Sequence, residues 1–364
     1  MSASVSLEDV TKSFGSASHG PASHGSASHV PAPAALAGVT LDVAAGSCTA
    51  ILGPSGSGKS TIIRVIAGLE EVSGGIVRVD GVDVAGIASE QRGIGMVFQR
   101  PLLFPHLSVL DNVAFSQRVG GASRADSRRH AQHYLDLVHL GGFGTRSVRE
   151  LSGGQEQRVA IARALAAAPR VLLLDEPFSA LDPALREDMH QLLDDVRAAL
   201  SPTIILVTHD RDEASAVADR IAVIQNGELL QHDTVDHLYN RPVSTRVSRL
   251  MGGLNEIVGR VQGGTHVSPL GHVPVSPGTP DGPGVLVIRH EAIEVSPCTE
   301  AEPPTSGVVG HVSRVRRFGP RRMVSVTFGD GVEVQAALPP GDAVQDGGRV
   351  ALTLPPEAVS VVPR

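Results

Sequence analysis

The run Gly53-Pro54-Ser55-Gly56-Ser57-Gly58-Lys59-Ser60-Thr61 constrains the fold of this chain more than any other feature. It follows the apolar stretch Ser47–Leu52 and opens a predicted helix, Lys59–Ala67, in which Ile62, Ile63, Val65 and Ile66 supply packing. A strand, a glycine-rich turn and a helix, in that order, are the setting in which Gly-x-x-x-x-Gly-Lys-Ser cradles phosphate. The glycines let successive backbone N–H groups turn toward one anion, and the helix N-terminus adds partial positive charge. Lys59 is placed to reach β- and γ-phosphates, and the Ser60 hydroxyl to ligate Mg²⁺. Lysine occurs at only one other position, Lys12, in a chain otherwise supplied with arginine. ATP and Mg²⁺ are therefore the expected cofactors.

Two other stretches gain meaning beside that loop. Val171-Leu-Leu-Leu-Asp175-Glu176-Pro177 is an apolar strand ending in paired carboxylates. An Asp at the tip of a buried strand suits a Mg²⁺ held next to the phosphates. The following Glu176 can orient and polarise a water for attack on the γ-phosphate. Leu151-Ser152-Gly153-Gly154-Gln155-Glu156-Gln157-Arg158 precedes a predicted helix, Val159–Ala167. Small residues and a hydroxyl at a helix N-terminus make a second anion-binding site; standing alone they would be an ordinary cap with a flexible Gly-Gly.

Together these motifs resemble the nucleotide-binding subunit of ATP-binding-cassette (ABC) transporters, over residues 4–240. The resemblance implies an α/β P-loop NTPase with a helical subdomain near 100–165. It places Phe14 on the adenine, Gln99 (after the strand Ile94–Phe98) on Mg²⁺ together with Ser60 and Asp175, and Glu176 and His209 at the γ-phosphate. Ser179-Ala-Leu-Asp182 corresponds to the loop that communicates between two copies. Ser152, Gly153, Gly154 and Gln155 correspond to the signature loop, which closes over the nucleotide of a second copy. A head-to-tail homodimer is thus implied, as is a pair of transmembrane permease subunits that seat a short helix near Pro101–Val113. Simple core packing of Leu102, Leu103 and Phe104 is the competing explanation for that apolar segment. An extracytoplasmic solute-binding protein would be an indirect partner. The subunit would sit peripherally on the cytoplasmic face of the bacterial inner membrane. Glu156 stands where many relatives carry a neutral or basic residue, and the insertion after Phe14 puts the adenine contact in question.

Organisation beyond the motifs agrees with two domains, a size that 364 residues accommodate. Residues 15–35 are a low-complexity insertion carrying His19, His24 and His29 in a five-residue repeat; metal binding and an inert surface loop are both open. Val171–Leu174 and Thr203–Val207 read as strands buried on both faces of a parallel sheet, with Ala184–Leu200 as a crossover helix. Ser123-Arg-Ala-Asp126 reads as a helix cap ahead of the face Ala131, Tyr134, Leu135 and Val138. The domain ends near 240, a linker covers 241–254, and from 255 Gly, Pro and Val dominate. Strands at 285–288, 308–315, 323–328, 332–338 and 350–354, with a hairpin at Gly329-Asp-Gly331, predict a small all-β, oligomer-binding-type domain.

That order of domains is similar to importers of Fe³⁺, polyamines, sulfate, molybdate or sugars with a C-terminal TOBE-type domain. Asp175–Asp182 leans toward the iron, polyamine and oxyanion branch. Ile288-Arg289-His290-Glu291 resembles an Arg-Pro-Glu element with His290 in place of Pro. Arg314, Arg316, Arg317, Arg321 and Arg322 form a basic cluster, open to an anion or to an ordinary solvated face. The net charge of −7 gives no reason to expect nucleic acid. Two cysteines, Cys48 and Cys298, offer no disulfide framework. No apolar run is long enough to cross a membrane, and no signal peptide is expected at the N-terminus. A non-transport ABC ATPase is the alternative class; it is disfavoured because no second cassette or coiled-coil insertion is present.

Overall fold

The structure is a computed structural model that describes residues 2–14, 34–179, 181–298, 307–318, 321–329, 331–339, 341–342 and 344–364. The histidine repeat lies outside the described residues, as do Ala180, Gly319, Pro320 and Asp330. The chain divides into two compact units, Met1–Val235 and Asp236–Arg364.

In the first unit, a six-stranded sheet runs Glu228–Thr234, Arg220–Gln225, Cys48–Leu52, Thr203–Thr208, Val171–Asp175, Ile94–Val97. All neighbours are parallel except the first pair, a hairpin at the edge. Every residue of Cys48–Leu52, Val171–Asp175 and Thr203–Thr208 is buried. This is why these strands read as continuous apolar runs and not as alternations. A second, antiparallel sheet orders Leu36–Val43, Val5–Lys12, Gly74–Val79 and Val82–Asp83. The helix Lys59–Ala67 buries Ile62, Ile63, Val65 and Ile66 in the core shared by these strands.

The register decides where chemistry can occur. Leu52 stands opposite Thr208, Asp175 opposite Val207, and Val97 opposite Leu174. The carboxyl ends of four parallel strands are therefore level, and the chain leaves each of them at one edge of the sheet. In open α/β sheets that edge is where ligands bind.

The helical part contains Val109–Val113, Phe115–Val119, Arg124–Leu137 and Gly153–Leu165. Ser123 caps the third by accepting from the Asp126 N–H at 3.1 Å, and Ala131, Tyr134, Leu135 and Val138 are buried as their spacing predicts. The fourth departs from expectation. It starts at Gly153, six residues before the predicted Val159, in spite of two glycines. Ser152 and Gln155 form a reciprocal capping box: the Gln155 N–H donates to Ser152 Oγ, and the Ser152 N–H to Gln155 Oε1. Two donors that the helix end leaves orphaned are thereby satisfied.

The second unit folds as two five-stranded antiparallel sheets. One orders Gly271–Pro274, Thr265–Ser268, Asn255–Gln262, Gly282–Ile288 and Val359–Val362; the other orders Glu294–Pro297, Arg349–Thr353, Val308–Phe318, Arg321–Phe328 and Val332–Leu338. The hairpin 321–328/332–338 is present. Asn255 is 2% exposed and ties the sheets together. Its Nδ2 donates to Ile288 O at 3.2 Å and Gln335 O at 2.8 Å, and its Oδ1 accepts from the Gln335 N–H at 2.7 Å. The stretch expected to be a linker contains the helix Thr245–Leu250 and belongs with this unit. Buried Arg289 holds it there, donating from Nε to Tyr239 O at 2.8 Å and from Nη1 to Met251 O at 3.1 Å. Of the arginine cluster, Arg322 donates both Nη groups to the carbonyls of Asp342 and Val344, while Arg314, Arg316, Arg317 and Arg321 are exposed.

Candidate functional site

Gly53 begins the loop at a place where only hydrogen fits. A Cβ there would lie 2.1 Å from Ile224 O and 2.7 Å from Ser57 Oγ. Gly58, which caps the helix with φ +101°, faces the Ala35 carbonyl, 2.5 Å from where its Cβ would be. The loop is thus pressed against backbone at both of these glycines. Gly53→Ala should lower the melting temperature by several degrees, following an overpacking cost of about 1–3 kcal/mol. Gly153→Ala, where a Cβ would meet nothing within 4 Å, should leave it within about a degree. Differential scanning calorimetry of the two variants checks the contrast.

Lys59 is 5% exposed. Its Nζ donates to Gly53 O at 2.8 Å and Pro54 O at 2.9 Å, so the ammonium is folded into the loop it serves. Burial lowers its pKa, against the pull of Glu176 and Asp175. Ser57 Oγ is buried and has no partner among the described residues, a hydroxyl still available to an oxygen ligand. Pro54, Ser55 and Gly56 are exposed, Thr61 half-buried.

Ser60 Oγ donates to Asp175 Oδ1 at 3.1 Å, across 115 residues of chain. Asp175 is 5% exposed. Burial raises its pKa, with the Ser60 hydrogen bond opposing. A buried carboxylate beside a hydroxyl, with no guanidinium or ammonium bonded to it among the described residues, is a pair of hard oxygen donors suited to Mg²⁺.

Glu176 lies at the centre of the edge. Its Oε2 accepts from Gln99 Nε2 at 3.1 Å, and its Oε1 is 3.4 Å from His209 Nδ1. Gln99 Nε2 also lies 3.5 Å from Ser179 Oγ. The Glu176 backbone has φ +44°, a left-handed conformation that costs a residue with a Cβ about 1–2 kcal/mol. Such strain persists where the surroundings fix it and concentrates at functional positions. The structure thus brings Gln99, Asp175, Glu176 and His209 to one edge with the loop 53–60.

Other predicted positions lie elsewhere in the unit. Phe14 is 49% exposed, with Lys12 Nζ 5.0 Å from its ring centroid. Ser152 and Gly153 are exposed, while Gly154 is buried. Gln155 spends its side-chain oxygen on the capping box. Asp182 caps the helix Pro183–Leu200, accepting from the Leu185 N–H at 3.0 Å. Sequence reasoning passed over Glu213. It is buried, and Thr208, next to His209, donates to its Oε2 at 2.5 Å. Its position three residues after Asp210, in the first turn of the helix Arg211–Val217, was the available signal.

Comparison with known proteins gives a consistent picture. The family described as "ABC transporter" matches residues 36–179, and the family described as "TOBE domain" matches residues 286–362. An Fe(3+) ions import ATP-binding protein of Streptomyces avermitilis is 42% identical over 73% of this chain and 77% of its own length. A sulfate/thiosulfate import ATP-binding protein of Salmonella typhi is 40% identical over 73% and 74%. Among solved structures, a dimeric ATP-binding cassette in a post-hydrolysis state, bound to ADP and Pi, matches with a TM-score of 0.55 and 33% identity, covering 63% of this chain and 98% of that one.

Proposed function

Because this chain belongs to the family of ATP-binding proteins of ABC transporters, we propose that it is the motor subunit of a bacterial importer, hydrolysing ATP in a head-to-tail homodimer. The observation that carries this reading is Glu176, held between Gln99 and His209 beside the Ser60–Asp175 pair. Lys59 and the backbone N–H groups of the loop 53–61, all but that of Pro54, bind the phosphates. Ser60, Asp175 and Gln99 hold Mg²⁺, which when bound neutralises charge on the phosphate oxygens. Glu176 orients and polarises the attacking water, and His209 holds the γ-phosphate. Phe14 takes the adenine; its side chain is exposed by 49%.

The other half of the nucleotide site comes from a second copy, through Ser152, Gly153, Gly154, Gln155 and Asp182. Exposure of Ser152 and Gly153 at a helix N-terminus supports this assignment. ATP then favours the closed dimer and hydrolysis releases it, because only the triphosphate supplies the γ-phosphate contacts.

The membrane partner is a permease dimer, which places the subunit peripherally on the cytoplasmic face of the inner membrane. Among the described residues no helix is long and apolar enough to cross a membrane. Leu102, Phe115 and Val119 are exposed by 59, 39 and 72%. Arg163 fixes the carbonyls of Pro101 and Leu102, at 2.9 Å each, and so shapes this apolar surface close in sequence to Gln99.

The cargo we assign is Fe³⁺, delivered by an extracytoplasmic binding protein, since Fe(3+) import proteins stand among the most similar relatives. Sulfate is the second reading, supported by relatives of nearly equal identity. Disrupting this chain in its host should abolish uptake of radiolabelled Fe³⁺ and leave labelled sulfate uptake intact. The reverse pattern would overturn the cargo and retain the motor.

A further inference from the structure

The buried carboxylate of Glu213 has no place in the chemistry above, yet it is an unusual group to bury. Burial raises its pKa, and an apolar residue of the same size would avoid the desolvation cost. What it touches explains its presence. Its Oε2 accepts from Thr208 Oγ1 at 2.5 Å, and Thr208 Oγ1 in turn accepts from the Asp210 N–H at 3.0 Å. Asp210 Oδ1 caps the helix Arg211–Val217, accepting from Asp212 N–H at 2.8 Å and Glu213 N–H at 3.3 Å. His209 is thus tethered on both sides to Glu213.

The other carboxylate oxygen points a different way. Arg186 Nε lies 3.8 Å from Glu213 Oε1 and donates to Leu181 O at 3.1 Å. Leu181 is buried and precedes Asp182, the cap of the helix that carries Arg186. Leu181 and Leu185 pack over Gly154, their methyls 3.5 and 3.4 Å from where its Cβ would be. A continuous chain of contacts therefore runs from the residues flanking His209, through Glu213 and Arg186, to the glycine of the signature loop.

We propose that Glu213 and Arg186 are positioning residues that couple the two nucleotide sites of the dimer: they tie the His209 segment, which senses one γ-phosphate, to the 152–154 loop, which closes on the other nucleotide. This rests on the head-to-tail reading above. Contacts alone do not establish coupling; energetic non-additivity does.

The test uses the full chain. Glu213→Gln keeps the shape and an acceptor for Thr208 while removing the charge that faces Arg186; Arg186→Gln removes the other partner. Each should lower kcat for ATP about 10-fold, with ATP affinity within about two-fold when measured with a fluorescent ATP analogue. The double variant should be no slower than either single one, and the kcat losses should remain when rates are expressed per folded subunit, even where removal of one member of the buried pair lowers the melting temperature. A purely structural role predicts a lower melting temperature with kcat per folded subunit unchanged, and that result overturns the proposal. So do two kcat losses that multiply in the double variant. Glu176→Gln serves as the separate control: failure of ATP to dimerise that protein overturns the head-to-tail reading itself, whereas normal dimerisation with wild-type kcat in Glu213→Gln removes only the coupling.

Discussion

Glu176→Gln should reduce ATP turnover by about 10²- to 10⁴-fold, the usual contribution of a positioned general base, while leaving ATP binding within a few-fold of wild type. The substitution is nearly isosteric. The amide oxygen can still accept from Gln99, so the arrangement at 3.1 Å survives, and the backbone bonds of Glu176, its N–H to Val207 O at 3.0 Å and its O from the Ser179 N–H at 3.3 Å, do not involve the carboxylate. What is lost is basicity toward water. Steady-state phosphate release, paired with equilibrium binding of a fluorescent ATP analogue, separates the two effects. Turnover near the wild-type rate would remove Glu176 from its assigned role and leave another group as base.

Lys59→Ala should act on the other parameter. Hydrogen bonds to charged groups contribute about 1.5–3 kcal/mol each, so loss of the ammonium from the phosphates should weaken ATP binding by about 10- to 100-fold. A second effect adds to the first. Lys59 Nζ bonds the carbonyls of Gly53 and Pro54; truncation removes that donor from both, with Pro54 O keeping the Ser57 N–H at 3.2 Å, and leaves the loop less fixed. ADP, which keeps its β-phosphate, should also bind more weakly. Isothermal titration with both nucleotides checks this; unchanged affinity for ATP would mean that the loop does not hold phosphate. Glu176→Gln therefore changes rate at constant affinity, and Lys59→Ala changes affinity first.

Much of the site was legible because each motif is local. The loop 53–61 announces itself by residue type and by the strand and helix around it, and Asp175-Glu176 by its apolar strand. Strands such as Val171–Asp175 and Thr203–Thr208 were legible because both faces are buried, so no polar residue interrupts the run. The start of the helix at Gly153 was harder to read, because intrinsic propensity disfavours two glycines; the signal that outweighs them is the local capping box Ser152-x-x-Gln155. The strands Asn255–Gln262, Thr265–Ser268 and Gly271–Pro274 were also missed. Gly259 interrupts the first of them, and Gly263-Gly264 is the two-residue turn that pairs Gln262 with Thr265; pairing partners, more than local preference, hold these short strands in the sheet. Glu213 stayed unread because its meaning depends on Arg186, 27 positions away in sequence and 3.8 Å away in space. The helical character of 245–250 likewise depends on context: six residues are too few for a stable helix alone, and Ser244 and Arg289 secure the segment.

The central claim is that this chain carries half of each nucleotide site and a second copy carries the rest. Light scattering of the Glu176→Gln protein during size-exclusion chromatography tests it most directly. With Mg²⁺ and ATP the account predicts twice the monomer mass of 37.8 kDa, reverting to the monomer mass when ADP replaces ATP. A protein that binds ATP and remains monomeric, or that has the same mass with either nucleotide, would contradict it.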